Sequence, residues 1–280
     1  MSSHRQLIVL VIVALLSSLP LSTMSRPKIL LLGDSLTQLS WDGWGGTLAH
    51  VYQRRADVIN RGMAGYNTDW FLKYLQQHEK DVLVDNVVLV IIFFGANDAS
   101  CKTLNPRHHV PIPTYQDNLK AMIQKCRTHY QDVPIIVMTP PPVQHEQRLS
   151  YQKERYGDKA TGVLERSLEL SGQYANAAQE VVAHDDSNNN TCLINLWKTM
   201  QLDSNWERFF YDGLHFSREG NEFVAQSIVR KIEQEIPQLA VTPCPHTSQY
   251  ANSASKCPSL PQSGPYHDEI DHTNPSKAFE

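Results

Sequence analysis

The chain has 280 residues, 41% of them hydrophobic and 19% charged, enough for one full-sized domain with a core and barely enough for two small ones. A formal net charge of −4 argues against nucleic acid as the main partner. No internal repeat and no long charge run divides the sequence.

Residues 1–25 differ from the rest. MSSHRQ carries a basic residue and no acid, LIVLVIVALL is ten apolar residues, and SSLPLSTMS then supplies a break and small residues. That is the pattern of a secretory signal peptide, and it is too short for a transmembrane helix. Cleavage near Ser25 sets Thr23 and Ser25 at the small-residue positions and sends the protein into the secretory pathway. Translation from Met24 is the competing reading and gives a leaderless cytoplasmic protein with its first strand intact. No later segment reads as a membrane span. Five cysteines, Cys101, Cys126, Cys192, Cys244 and Cys257, show no C-x-x-C spacing, which argues against a zinc or redox centre. After secretion, Cys244 and Cys257 are placed to close a loop in the tail, and the sequon at Asn189 to carry a glycan.

Five apolar runs predict strands: 28–33, 56–62, 87–95, 134–140 and 192–197. The first, third and fourth are nearly continuous, as in strands buried on both faces of a parallel sheet. Between them, amphipathic segments 43–55, 69–81, 114–130, 162–184 and 217–236 predict helices, with Ser217 as an N-cap. This alternation predicts an α/β protein, a three-layer α/β/α doubly wound sheet of about five parallel strands within residues 26–240. After 240 the sequence turns rich in Pro and Ser and predicts a loosely ordered tail over 241–280.

In such sheets ligands bind beyond the carboxyl ends of the strands. Four polar motifs fall there or just before the last helix: GDSLTQ from Gly33, NRGMAGYNT from Asn60, GANDA from Gly95 and YDGLHFS from Tyr211. Acyl transfer through a serine needs a nucleophile, a base, a carboxylate to orient the base, and donors for the oxyanion. Ser35, His215 and Asp212 supply the first three. Asp212 lies three residues before His215, so one tight turn can bring its carboxylate to the ring. The backbone N–H groups of Ser35 and Gly65 and the side-chain amide of Asn97 are the candidate oxyanion donors; Gly65 suits because a residue without Cβ lets backbone approach substrate closely. Taken singly, Ser35 reads more readily as a turn or helix-cap serine, Gly65 as a turn glycine, and Asn97 as the closure of an Asx-turn. Their joint order along one sheet edge favours the catalytic reading. His108, His109 and His145 read as loop residues.

Together these four motifs resemble the signature blocks of the SGNH (GDSL) hydrolase superfamily. They are closest to its isoamyl-acetate-hydrolysing esterase branch, since Trp44-Gly45-Gly46, Asn60-Arg61-Gly62 and Gly65-Tyr66-Asn67-Thr68 also match in order. The resemblance covers roughly residues 28–236. It implies a flavodoxin-like sheet, Ser35 as nucleophile, His215 as base, Asp212 as its partner, an oxyanion hole of Ser35, Gly65 and Asn97, and no metal or organic cofactor.

Neighbouring chemistries fit less well. Residues 33–37 read G-D-S-L-T rather than the G-x-S-x-G elbow of α/β-hydrolases, and no phosphate loop is present. An aspartyl-phosphate role for Asp34 leaves Asp212 and His215 unexplained. The expectation is a serine esterase acting on a small-molecule ester, and the resemblance above all implies short acyl groups such as acetyl. Acyl transfer to another acceptor on the same triad, or a non-catalytic binding module keeping the fold, are the alternatives. Segments 101–113 and 141–160 follow strands three and four and are expected to flank the site, the second as a charged lid.

Overall fold

The computed structural model describes residues 25–185, 190–243, 255–271 and 273–279. The leader through Met24, the sequon at Asn189 and Cys244 lie outside the described residues. Strands β1 (Lys28–Gly33), β2 (Asp57–Gly62), β3 (Val87–Phe93), β4 (Ile135–Met138) and β5 (Thr191–Ile194) form a parallel sheet in the order β2-β1-β3-β4-β5. This is the flavodoxin-like order, with its topological switch between β1 and β3. Gly33 pairs with both Gly62 and Phe93, Phe93 with Met138, and Met138 with Ile194, so all five carboxyl ends lie at one level.

The apolar runs are continuous because both faces of the sheet are buried. Ile29 and Leu31 face one core and Leu30 and Leu32 the other, and β3 alternates in the same way through Leu89, Val90, Ile91 and Ile92. Helices α2 (Trp44–Val51) and α9 (Arg218–Glu235) cover the first face, through Trp44, Leu48, Val224 and Ile228. Helices α3 (Thr68–Gln77), α5 (Ile112–Tyr130) and α7 (Leu168–Ala183) cover the second, through Phe71, Leu119 and Ala178. Short turns α1 (Ser35–Gln38), α4 (Glu79–Val82) and α8 (Leu196–Met200) fill connections. No helix among the described residues is long and apolar enough to cross a membrane.

Three features differ from the sequence reading. The helix predicted from 162 begins only at Leu168, where the Ser167 side chain accepts the Leu170 N–H. The segment expected as a lid contains helix α6 (His145–Tyr156), which buries none of its residues and therefore leaves no apolar stripe to read. The described part of the tail is docked. Leu260 is buried in the first core, Thr242 N–H donates to Lys256 O at 2.8 Å, and the buried Arg55 guanidinium donates to Leu260 O at 2.8 Å and to Ser255 O. Carbonyls satisfying one buried arginine hold an irregular Pro-rich segment that has no periodicity to announce it. Leu260→Ala should therefore destabilise the protein by about 2–5 kcal/mol, read from urea unfolding; a loss below about 0.5 kcal/mol, as at surface positions, would mean that the tail is only resting on the domain.

Candidate active site

At the end of β1 the chain turns over a buried carboxylate. Asp34 Oδ1 accepts the Leu36 N–H at 2.9 Å and so caps α1, while Asp34 O accepts from Gln38 N–H at 2.8 Å. Ser35 stands half-buried at the first position of this turn. Two of the motif matches hold it there. The Trp44 indole N–H donates to Leu36 O at 2.9 Å, and the Asn60 amide donates to Thr37 O at 2.7 Å.

The loop before α9 is pinched by an antiparallel bridge between Phe210 and Phe216. Inside it, Asp212 Oδ1 accepts the backbone N–H groups of Leu214 at 3.0 Å and His215 at 2.7 Å. Its other oxygen lies 2.8 Å from His215 Nδ1, and His215 Nε2 lies 3.0 Å from Ser35 Oγ. A carboxylate only accepts, so Nδ1 carries the proton and Nε2 is left to receive the serine hydroxyl. Burial works to raise the Asp212 pKa, but the hydrogen bond and charge of His215, with the two backbone donors, hold it below the ordinary carboxylate value. The loop needs its glycine. Gly213 has φ +81°, and a Cβ there would lie 2.4 Å from Gln144 O.

Around the expected oxyanion hole, Gly33 O accepts the Met63 N–H at 2.8 Å, which brings the turn containing Gly65 beside that of Ser35. Gly65 has φ +79°, and a Cβ there would meet nothing within 4 Å. The position thus asks for glycine on backbone conformation and not on crowding. Asn97 Nδ2 donates to Tyr66 O at 2.9 Å and lies 3.4 Å from Asp34 Oδ2. The second is a long contact. Ser35, His215 and Asp212 are thus in direct contact, whereas Asn97 and Gly65 join them through Asp34 and the 63–66 turn.

A cavity of about 730 Å³ opens beside Ser35 and His215, with Leu36, Leu39, Tyr211 and Phe216 as its apolar wall and Asp42 and Arg218 at its polar end. The Tyr211 ring stacks on the His215 ring at 5.9 Å, and Tyr211 and Leu39 are 62% and 58% exposed at the mouth. Segments 101–113 and 141–160 line none of this cavity. Instead Arg148, on α6, reaches Asp212 from behind at 3.2 Å, and His108 packs against Trp70. Sequence reasoning quoted Leu36, Tyr211 and Phe216 inside two motifs without reading them as wall residues, and it missed Leu39 and Arg148, which belong to no motif. Among the described residues no group of His, Cys, Asp or Glu is arranged to hold a metal ion.

A hydroxyl, an imidazole and a carboxylate joined in this order at the carboxyl edge of a parallel sheet can form and break an acyl-enzyme, which is the chemistry of the serine hydrolases. Residues 31–223 match the GDSL-like Lipase/Acylhydrolase family. A GDSL esterase/lipase of Arabidopsis thaliana is 37% identical over 91% of this chain and 98% of its own. The isoamyl acetate-hydrolyzing esterase 1 homolog of Mus musculus is 40% identical over 78% and 86%. Among solved structures, the lipase/acylhydrolase from Enterococcus faecalis shares 32% identity at a TM-score of 0.57, covering 74% of this chain and 96% of its own. The chain belongs to the GDSL-like lipase/acylhydrolase family, and it is an ester-hydrolysing enzyme.

A second buried acid lies below the site. Burial pushes Asp98 up to about 7, against the opposing hydrogen bonds from the Thr68 hydroxyl and N–H. The folded state thus binds a proton that the unfolded chain releases near the ordinary carboxylate value, so this stabilisation is present at acid pH and is lost as pH rises toward about 7. Asp98→Asn should flatten the fall in Tm between about pH 4 and 7; parallel Tm curves for the two proteins would place the titration elsewhere.

Proposed function

We propose that the protein is a serine esterase for small carboxylic esters with short acyl groups, acting through Ser35, His215 and Asp212. The contact chain of 3.0 and 2.8 Å from Ser35 Oγ through the imidazole to Asp212 is the observation that carries this reading. Ser35 Oγ attacks the ester carbonyl as its proton passes to His215 Nε2. The imidazolium is held by Asp212 and returns the proton to the leaving alcohol. Water, deprotonated by the same nitrogen, then releases the acid and regenerates Ser35. The N–H groups of Ser35 and Gly65 and the Asn97 amide serve as oxyanion donors. Ser35 opens its helical turn, where first-turn N–H groups lack intrahelical partners, and Gly65 faces open space. Preference for small esters is supported by the exposed, apolar mouth at Leu39 and Tyr211, which offers a long chain little enclosure.

Ser35→Ala should abolish hydrolysis of p-nitrophenyl acetate while leaving Tm nearly unchanged, and a fluorophosphonate should label the wild-type protein at Ser35. A variant that stays active and loses several degrees of Tm would make Ser35 a cap and not a nucleophile. Asn97→Ala should lower kcat by about 10²–10³ with a smaller change in KM; an unchanged kcat would remove Asn97 from the oxyanion hole.

We also propose that residues 1–25 direct secretion, on the strength of the apolar run 7–16 behind a basic start. Expressed in a secretory cell, the full chain should reach the medium with an N-terminus near residue 26. Retention in the cytosol with an N-terminus at Met24 would select the alternative start.

A further inference from the structure

The segment between β4 and α7 sends three charged side chains to the back of the site. Arg148 donates to Asp212 Oδ2 at 3.2 Å, the same oxygen that faces His215 Nδ1. Its other nitrogen lies 3.4 Å from Glu165 Oε1, which also accepts from Arg166 at 2.6 Å. Arg166 then donates to Asn97 Oδ1 at 2.9 Å and to Ala96 O at 2.9 Å. An unbroken line of alternating charge therefore runs from the carboxylate at one end of the site to the amide at the other. It is shielded from water, the side chains of Arg148, Glu165 and Arg166 being 14, 21 and 8% exposed, so solvent and salt screen it little. The segment is anchored on both sides. Gln144 N–H donates to Gly213 O at 2.9 Å, and Cys101 N–H donates to Glu165 O at 2.6 Å.

We infer that Arg148 and Arg166, bridged by Glu165, are positioning residues that fix the protonation and orientation of Asp212 and the amide orientation of Asn97 for ester hydrolysis. The inference rests on the catalytic roles proposed above for those two residues. A guanidinium has donors and no acceptor. Arg166 can therefore accept only one of the two flip states of Asn97, with Oδ1 toward itself and Nδ2 toward Tyr66 O and Asp34. That state turns the donor end toward Ser35's turn. Arg148 likewise favours the ionised Asp212, and it shares the negative charge of Oδ2 with the imidazole. The titratable and charged groups about that imidazole are Asp212 with Arg148 behind it, Tyr211 stacked on its face, Asp34 beneath Ser35, and Asp42 and Arg218 lining the cavity. Glu165 keeps the two arginines, which repel, on one line.

The test compares wild type, Arg148→Met, Arg148→Lys and Arg166→Met on p-nitrophenyl acetate, with rates counted per fluorophosphonate-reactive site so that unfolded protein drops out. Arg148→Met should lower kcat per site about tenfold with KM within about twofold. It should also move the acidic limb of the kcat/KM profile up by several tenths of a pH unit, because Asp212 then answers the imidazole alone and favours its charged form. Arg148→Lys should restore the limb. Arg166→Met should lower kcat per site about tenfold with the limb unmoved, since it acts on the amide and not on the base. If either methionine variant fails to fold, Glu165→Gln takes its place and should lower kcat per site. Folded Arg148→Met with the wild-type limb, or folded Arg166→Met with kcat per site within about twofold of wild type, would overturn the corresponding arm. Ser35→Ala, which carries no reactive site and is assayed per mole of folded protein, separates the two levels of failure: activity there would sink the catalytic reading itself, whereas a dead Ser35→Ala beside indifferent arginine variants sinks only the positioning.

Discussion

The carboxylate of Asp34 holds the two loops of the site in one place. One oxygen caps the turn that bears Ser35, and the other faces the Asn97 amide at 3.4 Å, so the loop after β1 and the loop after β3 share a single buried anchor. Burial raises its pKa to about 6 against the Leu36 N–H and the charges of His215 and Arg166. Desolvation disfavours the charged form that the cap needs, and nearby donors and cations restore it. The parallel sheet makes this arrangement possible. With Gly33 and Phe93 paired at one level, the residues that follow them, Asp34 in one loop and Asn97 in the other, leave the sheet side by side.

The legible part of the molecule is what local pattern encodes. β1, β3 and β4 stood out because burial on both faces makes a strand a continuous apolar run, and the order of strands and helices then leaves few topologies. Ser35, His215 and Asp212 could be singled out because Ser35 follows β1 almost directly and the other two lie within one turn just before α9. Other residues depend on partners far along the chain. Asn60 holds a carbonyl 23 residues upstream, Arg148 a carboxylate 64 residues downstream, and Arg55 carbonyls 200 and 205 residues away. No periodicity records such pairs. The motif residues Trp44 and Asn60 were visible, but their work, holding the carbonyls of the nucleophile turn, became visible only with the fold. Helix α6 was missed for a related reason: a helix fixed by its ends and by ion pairs carries no apolar face.

The charge line behind the site is not a simple gain in stability. Removing an arginine and a glutamate from water is costly, and their mutual attraction repays it only when the remaining donors are satisfied. Here they are satisfied by Ala96 O, Asn97 Oδ1 and Asp212 Oδ2, which belong to the loops of the site. Had the network served packing alone, an apolar segment between β4 and α7 would have covered the same surface without that penalty. What the ionic version adds is direction. Donor-only groups meet acceptor-only groups, so each amide and carboxylate they touch has one permitted state.

This arrangement also divides the site in two. The wall of the cavity comes from the loop after β1 and the loop before α9, through Leu36, Leu39, Tyr211 and Phe216. The positioning groups come from the segment between β4 and α7 and approach from behind, touching Asp212 and Asn97 without entering the cavity. A substitution at the largely exposed Leu39 changes the shape offered to an ester away from the base, whereas Tyr211 stacks on the His215 ring and belongs to both halves. Changes at Arg148 or Arg166 leave the wall intact and uncover a charge in the interior, where one unpaired group outweighs several surface contacts. The wall at Leu36 and Leu39 can therefore vary while the charged groups behind Asp212 and Asn97 stay fixed.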